Sequence, residues 1–148
     1  MVRRTLELPQ QWAYAVVTAV RHHSLWIPLT TVDAPRRPLR EGDVVVGRTA
    51  GAFLDRMRVT RADPPRELRL VKTGPLLLGE VVITVEARGP SRALVTWTED
   101  DVHLRGPVPP ALLRPVLGPL LDGMTALALW RIARSVRRHR RRLADHPR

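Results

Sequence analysis

Four charged residues stand near the ends of predicted strands: Arg48, Asp55, Lys72 and Glu99. In the stretch VVVGRTAGAFLDRM, Arg48 follows a valine run and Asp55 opens the return strand, on either side of a loop that contains Gly51. Lys72 lies near the end of the strand ELRLVKT, and Glu99 near the end of RALVTWTED. Two cations and two anions can pair with one another, or they can bind a ligand and transfer protons.

The pairing register of the strands decides whether these residues share one side of the sheet, because side chains alternate across a strand. We expect Arg48 to pair with Asp55, Asp55 with Lys72, Lys72 with Gly79, and Gly79 with Glu99. The same register places two apolar rows beside this charged row. The first apolar row contains Val44, Val59, Leu68, Ile83 and Val95, and the second contains Val46, Met57, Leu70, Val81 and Trp97.

Two interpretations of the charged row remain open. It forms a salt-bridged rim at the edge of the core, or it forms the polar end of an otherwise apolar ligand pocket. In the second case Arg48 or Lys72 binds a carboxylate or phenolate, and Asp55 or Glu99 accepts a hydrogen bond from a hydroxyl. The apolar contacts to the ligand would then come from Met57, Leu70, Val81 and Trp97.

The remaining chemically capable residues give weaker signals. Trp26 either packs in the core or closes the mouth of the pocket. His22 and His23 are adjacent, so on a helix they point in different directions and cannot chelate a metal ion as an i, i+4 pair would. We expect no metal site and no cofactor, because zinc-binding, phosphate-loop and dinucleotide motifs are missing from the sequence. A nucleophile elbow is missing too, and the residues assign no catalytic group.

The net charge of +11 is concentrated at the C-terminus. Residues 1–130 carry a net charge of +4 and residues 131–148 a net charge of +7, and arginine outnumbers lysine 24 to 1. The arginine-rich end is interpreted as a solvated helix end, because the interleaved aromatic residues that stack on bases are missing. The alternative is binding of nucleic acid or an anionic membrane through Arg137, Arg138, Arg140, Arg141 and Arg142.

Length and composition favour one domain, and nothing in them argues for an oxidising compartment. A chain of 148 residues with 44% hydrophobic residues is sufficient for one core. It contains no cysteine, and neither a signal peptide nor a long uninterrupted apolar segment is recognised. We therefore expect a cytoplasmic protein.

The elements that must position the charged row form an α+β pattern. A strand over Val2–Leu8 precedes a helix from Gln10 and a short helical piece over His22–Trp26. Five or six antiparallel strands follow, and the chain ends in a long helix from about Pro119. One stripe of that helix is expected to face the sheet, and it contains Leu117, Leu121, Met124, Ala128 and Ile132.

This order of elements, with the segments PQQW, HHSLWIPLT, LREGD, DRMRVTRADPP and VTWTEDD, resembles the START-like superfamily and in particular polyketide cyclase/dehydrase-like (SRPBCC) proteins. The resemblance implies a helix-grip fold, in which a curved antiparallel β-sheet wraps around a long C-terminal α-helix and two short helices follow the first strand. It covers nearly the whole chain. We expect a single helix-grip domain over residues 1–136 and an arginine-rich extension of the last helix over residues 137–148.

The resemblance also implies a function class. A small hydrophobic or aromatic ligand, lipid-like or polyketide-like, is expected in a cavity between the sheet and the C-terminal helix. The alternatives are an aromatase, cyclase or dehydratase that transfers protons with the charged row, and a tail that binds nucleic acid or membrane. The superfamily shares no single catalytic set, so no catalytic residue is implied and the question of enzyme activity stays open.

Overall fold

An antiparallel sheet curls around one long C-terminal helix. A computed structural model describes residues 1–51, 53–99, 101–107 and 110–145; of the last helix, the side chains at 110, 111, 113, 114 and 140–145 lie outside that description. The helices are α1 (Gln10–Thr18), α2 (His23–Trp26), which follows a 3₁₀ turn at Val20–His22, and α3 (Pro110–Asp145). The strands are β1 (Val2–Leu6), β2 (Thr30–Asp33), β3 (Val44–Thr49), β4 (Phe53–Asp63), β5 (Glu67–Thr73), β6 (Leu77–Ala87), β7 (Ala93–Thr98) and β8 (His103–Leu104).

The sheet follows the order β1-β7-β6-β5-β4-β3-β2, and the short β8 pairs with one end of β6. Every pairing is antiparallel. The two short helices follow β1, and α3 lies across the concave face of the sheet. This architecture confirms the predicted helix-grip α+β fold, while the division of the chain at residue 136 stays a prediction.

The core lies between the concave face and the middle of α3. Leu129 and Ile132 of α3 are at most 1% exposed and pack into the same cluster as inward strand residues such as Leu68 and Ile83, and Leu117 and Leu121 pack against that cluster. Truncating such a side chain to alanine typically costs about 2–5 kcal/mol of stability. The predicted stripe of α3 therefore does face the sheet.

The start of α3 differs from the prediction. The helix begins at Pro110 and not near Pro119, and both Pro115 and Pro119 lie inside it. A proline inside a helix cannot donate to the carbonyl four residues earlier. Both prolines are exposed, so water can bind the carbonyl oxygens that lose a donor.

One segment of α3, residues 115–139, is long and apolar enough to cross a membrane by length and composition. In this fold it is the core helix, since its buried residues Leu129 and Ile132 pack into the core cluster with residues of the sheet. The apolar character of α3 is therefore explained by packing against the concave face.

The predicted register is confirmed for one strand pair. Between β5 and β6, Leu70 pairs with Val81 and Lys72 pairs with Gly79, as expected. Between β4 and β5, Met57 pairs with Lys72 in place of Leu70, and the register shifts again between Val59 and Arg61.

Between β6 and β7, Trp97 pairs with Ile83 in place of Val81. The register of the β6–β7 pair differs from the predicted register by two residues. The register of the β4–β5 pair differs by the same amount near Lys72. A displacement of two residues keeps every side chain on its predicted face, because the side-chain period of a strand is two.

The β3–β4 register is displaced by one residue, and this overturns the prediction for Arg48. Thr49 pairs with Phe53, and φ is positive at Ala50 (52°) and Gly51 (73°) in the turn that follows Thr49. Gly47 therefore stands opposite Asp55, and Arg48 turns to the exposed face. Val45, not Val44 or Val46, is fully buried.

Gly79 of β6 pairs with Lys72 and lies against the backbone of Asp101 and Val102. Its φ is +124°, and a Cβ added there would lie 2.5 Å from the backbone oxygen of Asp101 and 2.7 Å from Cα of Val102. Gly79→Ala should destabilise the fold by about 2–4 kcal/mol, because it adds both backbone strain and overpacking. Urea unfolding measures this loss.

The matched control is Gly123→Ala in α3, where an added Cβ meets no heavy atom within 4 Å. Alanine is the better helix former, so this variant should gain about 0.5–1 kcal/mol. Equal effects of the two substitutions would contradict the assigned role of Gly79.

Candidate functional site

A cavity of about 120 Å³ lies between the concave face of the sheet and α3. Strand residues form its floor and α3 forms its roof, while α2 and β2 close one side. Most of the lining is apolar. The lining residues are Val20, His23, Ile27, Thr30, Val32, Val45, Gly47, Thr49, Asp55, Met57, Leu70, Lys72, Val81, Ile83, Trp97, Glu99, Leu121, Met124, Thr125 and Ala128.

One end of the cavity contains an ion pair between Lys72 and Asp55. Lys72 Nζ donates to Oδ2 of Asp55, and the side chains are 6% and 17% exposed. Lys72 Nζ also lies 3.9 Å from Sδ of Met57. Burying an ammonium group costs several kcal/mol unless an opposite charge compensates it. The carboxylate of Asp55 supplies that compensation for Lys72.

Lys72 is the only lysine among 25 basic residues of the chain. Its ammonium group is a compact charge on a flexible stem, whereas a guanidinium group is planar and larger. In a cavity of this size, lysine therefore supplies the positive charge in less volume than arginine would.

Glu99 joins the polar end from β7 and is held by two donors. Trp97 Nε1 donates to Oε1 of Glu99 at 2.7 Å, and Thr125 Oγ1 of α3 donates to the same oxygen at 3.3 Å. Burial raises the pKa of Glu99 above its ordinary value; Lys72, Trp97 and Thr125 oppose that effect, and the negative charge of Asp55 adds to it. Glu99 is thus a carboxyl group whose proton affinity is tuned by its surroundings.

His23 of α2 lies on the other side of Trp97. Its ring centroid is 5.3 Å from that of Trp97, and its Nε2 is 3.0 Å from the carbonyl oxygen of Val17, which makes Nε2 the donor. Burial lowers the pKa of His23 to about 4. At neutral pH the ring is uncharged, and Nδ1 is left as an acceptor.

The charged row therefore lies partly inside the cavity. The structure brings together Asp55, Met57, Leu70, Lys72, Val81, Trp97 and Glu99 from the predicted ligand-binding set. Two members of that set are excluded. Arg48 is exposed on the opposite face, and Trp26 packs against α3 outside the cavity, where its carbonyl oxygen accepts a hydrogen bond from Arg131 Nη1 at 3.0 Å.

Sequence reasoning missed five polar or small contributors: His23, Thr30, Gly47, Thr49 and Thr125. Thr125 interrupts the apolar stripe of α3 one turn after Leu121, and a polar residue in such a stripe is a usable signal. Gly47 depends on the β3 register, which the turn sets. His23 gave no signal beyond its position next to His22.

A larger groove of about 600 Å³ lies on the outer surface between α1 and residues 35–39. It is open to solvent and is lined mainly by apolar side chains and arginines. Its lining includes no carboxylate and no buried ion pair. The internal cavity is therefore the better candidate site, despite its smaller volume.

Within the described ranges, no three His, Asp or Glu side chains are grouped closely enough to hold a metal ion. At the polar end of the cavity, Asp55 is instead paired with Lys72. The chemistry available to these residues is charge-assisted hydrogen bonding and proton transfer.

Comparison with known proteins shows which known fold this architecture matches. No family model matches the sequence, and no curated protein matches it. Solved structures do match over nearly the whole chain. A START superfamily protein from Mycobacterium smegmatis superposes with a TM-score of 0.68 at 14% identity, and the match covers 91% of this chain and 97% of that one.

The Zhui aromatase/cyclase from Streptomyces sp. R1128 superposes with a TM-score of 0.70 at 16% identity, covering 93% and 92% of the two chains. The chain has a START-like fold. A third match, the Aha1 dimer from Colwellia psychrerythraea, has a TM-score of 0.67 at 14% identity and covers 91% and 92%. The resemblance inferred from the sequence is thereby confirmed at the level of fold.

The arginine-rich end of this START-like chain continues α3. Arg137 and Arg138 are exposed, Arg134 lies 5.1 Å above the ring of Trp130, and the helix backbone runs to Asp145. The side chains of Arg140, Arg141 and Arg142 lie outside the described residues. Exposed arginines on a helix favour neither nucleic acid nor membrane by themselves.

The buried His23 should make the stability of the START-like domain depend on pH. Its pKa is about 4 in the folded protein against 6.5 ordinarily, so between these pH values only the unfolded chain binds the proton. This contribution is fully present above pH 6.5 and is lost as pH falls to about 4, a total of about 3 kcal/mol. Urea unfolding at pH 7 and pH 4 measures it.

His23→Gln should remove that part of the pH dependence while keeping a donor for the carbonyl of Val17. His22→Gln, at an exposed neighbouring position, is the matched control and should behave as the wild type does. An unchanged pH dependence in His23→Gln would contradict a neutral, buried imidazole.

Proposed function

We propose that this protein binds a small hydrophobic or aromatic molecule in the cavity between the sheet and α3. The polar group of that molecule lies at Lys72, Asp55 and Glu99. The observation that carries the proposal is the buried Lys72–Asp55 ion pair in a mostly apolar cavity. Apolar walls with a few convergent polar groups are typical of ligand sites.

Stability alone does not account for that ion pair. Replacing a buried ion pair with apolar residues of similar volume is often neutral or even stabilising. A selected function in the cavity is a better reason for Lys72 and Asp55 to stand there. Ligand binding supplies such a function, since fixed charges orient a bound molecule.

The volume of the cavity limits the ligand. Drug-sized ligands occupy pockets of about 300–1,000 Å³, whereas an engineered apolar cavity of about 150 Å³ holds benzene. With about 120 Å³, this cavity fits a molecule of roughly one ring. A lipid or a polyketide would need considerably more space.

The structural neighbours support a ligand-binding function by analogy. One is described as a START superfamily protein and one as an aromatase/cyclase. At 14–16% identity they share the fold with this chain and not its chemistry.

Because the chain lacks cysteine, we propose the cytoplasm as its compartment.

A cavity-filling substitution tests the binding site. An added Cβ at Gly47 meets only ordinary contacts, the nearest at 3.8 Å from the backbone oxygen of Asp55. Gly47→Leu should fill the cavity and weaken the binding of toluene by about tenfold or more, with the fold preserved. Ligand-observed NMR measures toluene binding, and circular dichroism checks the fold.

Val46→Leu enlarges an apolar side chain on the opposite face of the same strand and should leave toluene binding unchanged. The proposal fails if toluene does not bind the wild-type protein. It fails equally if Gly47→Leu, still folded, binds toluene as the wild type does.

Proton-transfer catalysis is the second candidate function. It is favoured by the co-existence of Glu99, whose pKa is raised, and the neutral His23 on either side of Trp97 in one cavity. Two titratable groups whose surroundings tune them differently are a pattern of acid–base sites. A cyclase or dehydratase would use such a pair.

Proton exchange at carbon tests this second function. If the site abstracts protons next to a carbonyl, the protein should accelerate deuterium exchange at the α-carbons of cyclohexanone in D₂O. Glu99→Gln should then lower the protein-catalysed rate by about 100-fold, a typical contribution of a general base. Proton NMR follows the exchange.

Glu80→Gln, at a half-exposed position outside the cavity, is the control and should keep the wild-type rate. A wild-type rate equal to that of buffer would rule out this activity. An unaffected Glu99→Gln would remove Glu99 from it.

A further inference from the structure

The Lys72–Asp55 ion pair leaves hydrogen-bonding capacity unused on both partners. Oδ2 of Asp55 accepts from Lys72, but Oδ1 is buried and has no hydrogen-bond partner among the described residues. Lys72 has three N–H donors; among the described residues its hydrogen bonds go to Asp55 and, at 3.9 Å, to Sδ of Met57, a weak acceptor. One strong acceptor and one ammonium proton are therefore left open.

A buried carboxylate oxygen without a partner costs free energy until a donor reaches it. A carboxylate cannot supply that donor, and a methyl group supplies neither donor nor acceptor. A hydroxyl group supplies both: its proton can go to Oδ1 of Asp55, and its oxygen can accept from Nζ of Lys72. The open positions thus match the hydrogen-bonding pattern of a hydroxyl group.

The net charge of the site also favours a neutral hydroxyl group over an anion. Two carboxyl groups, Asp55 and Glu99, accompany the single ammonium of Lys72, so the site is neutral or negative in net charge. An anion entering it would give up its hydration without gaining a free cation, since Lys72 is already paired. The hypothesis from the sequence, that Lys72 binds a carboxylate or phenolate, is therefore not favoured.

We infer that the ligand of this cavity is a small neutral hydroxyl compound, a phenol or an alcohol of about one ring, whose hydroxyl group bridges Asp55 Oδ1 and Lys72 Nζ. The inference rests on the proposed function and specifies the ligand class of the same site. A bound water molecule offers the same hydrogen-bonding pattern, so binding of the organic ring has to be demonstrated directly.

Four single-ring probes test the inference at neutral pH: phenol, toluene, benzoate and benzylammonium. They differ mainly in the group attached to the ring, and each is titrated by ligand-observed NMR. A hydrogen bond to a charged group is worth about tenfold or more in affinity. Phenol should therefore bind at least about tenfold more tightly than toluene, while benzoate and benzylammonium should bind more weakly than toluene.

A double variant assigns the preference to the ion pair. Asp55→Leu with Lys72→Met removes both charges together, so neither is left buried and unpaired. This variant should bind toluene as well as the wild type does and should lose the preference for phenol. Glu86→Leu with Arg88→Met removes an exposed ion pair elsewhere and should keep that preference.

The outcomes separate the two proposals. If toluene binds as tightly as phenol, the hydroxyl inference fails and the proposed binding function stands. If benzoate or benzylammonium binds most tightly, the ligand class is wrong. If the folded double variant keeps the preference for phenol, the bridge between Asp55 and Lys72 is wrong. If no probe binds, the cavity holds only water and both proposals fall.

Discussion

The concave face of the sheet must be covered by α3, and the rest of the structure follows from that constraint. Inward residues such as Leu68, Ile83 and Val95 are fully buried, and an exposed apolar face of this extent would drive association. α3 covers it with Leu129 and Ile132. α3 does not contact the curved sheet at every point, and a cavity remains between them.

Into that cavity the fold places charges that it must then neutralise. Lys72 stands on β5 and Asp55 on β4, and the pairing of these strands puts the two side chains on one face. Glu99 depends on two further elements, since Trp97 of β7 and Thr125 of α3 both donate to it. The polar end is thus assembled from four elements, and each group is oriented by a neighbour.

The same site bears on both candidate functions, and the comparisons with solved structures do not choose between them. Those structures share the sheet and the helix with this chain at 14–16% identity, a level at which fold is shared more reliably than chemistry. The small cavity and its ion pair are built from this chain's own residues. They favour selective binding of a small molecule, and they supply proton-transfer groups of the kind a lyase or cyclase needs.

The sequence by itself determined which residues of β4, β5, β6 and β7 face the core, and which stripe of α3 meets them. Both follow from fixed side-chain periods, two along a strand and 3.6 along a helix, so even a register error of two residues left the faces correct. It also indicated that Asp55, Lys72 and Glu99 share one side of the sheet.

Only the tertiary structure decided the rest. Asp55 pairs with Gly47 and not with the expected Arg48, and this shift of one residue turns Arg48 outward and Gly47 inward. His23 and Thr125 enter the site from helices whose packing no local pattern specifies. Burial, cavity volume and the unpaired oxygen of Asp55 depend on how separate elements meet in space, and the spacing of residues along the chain does not contain that information.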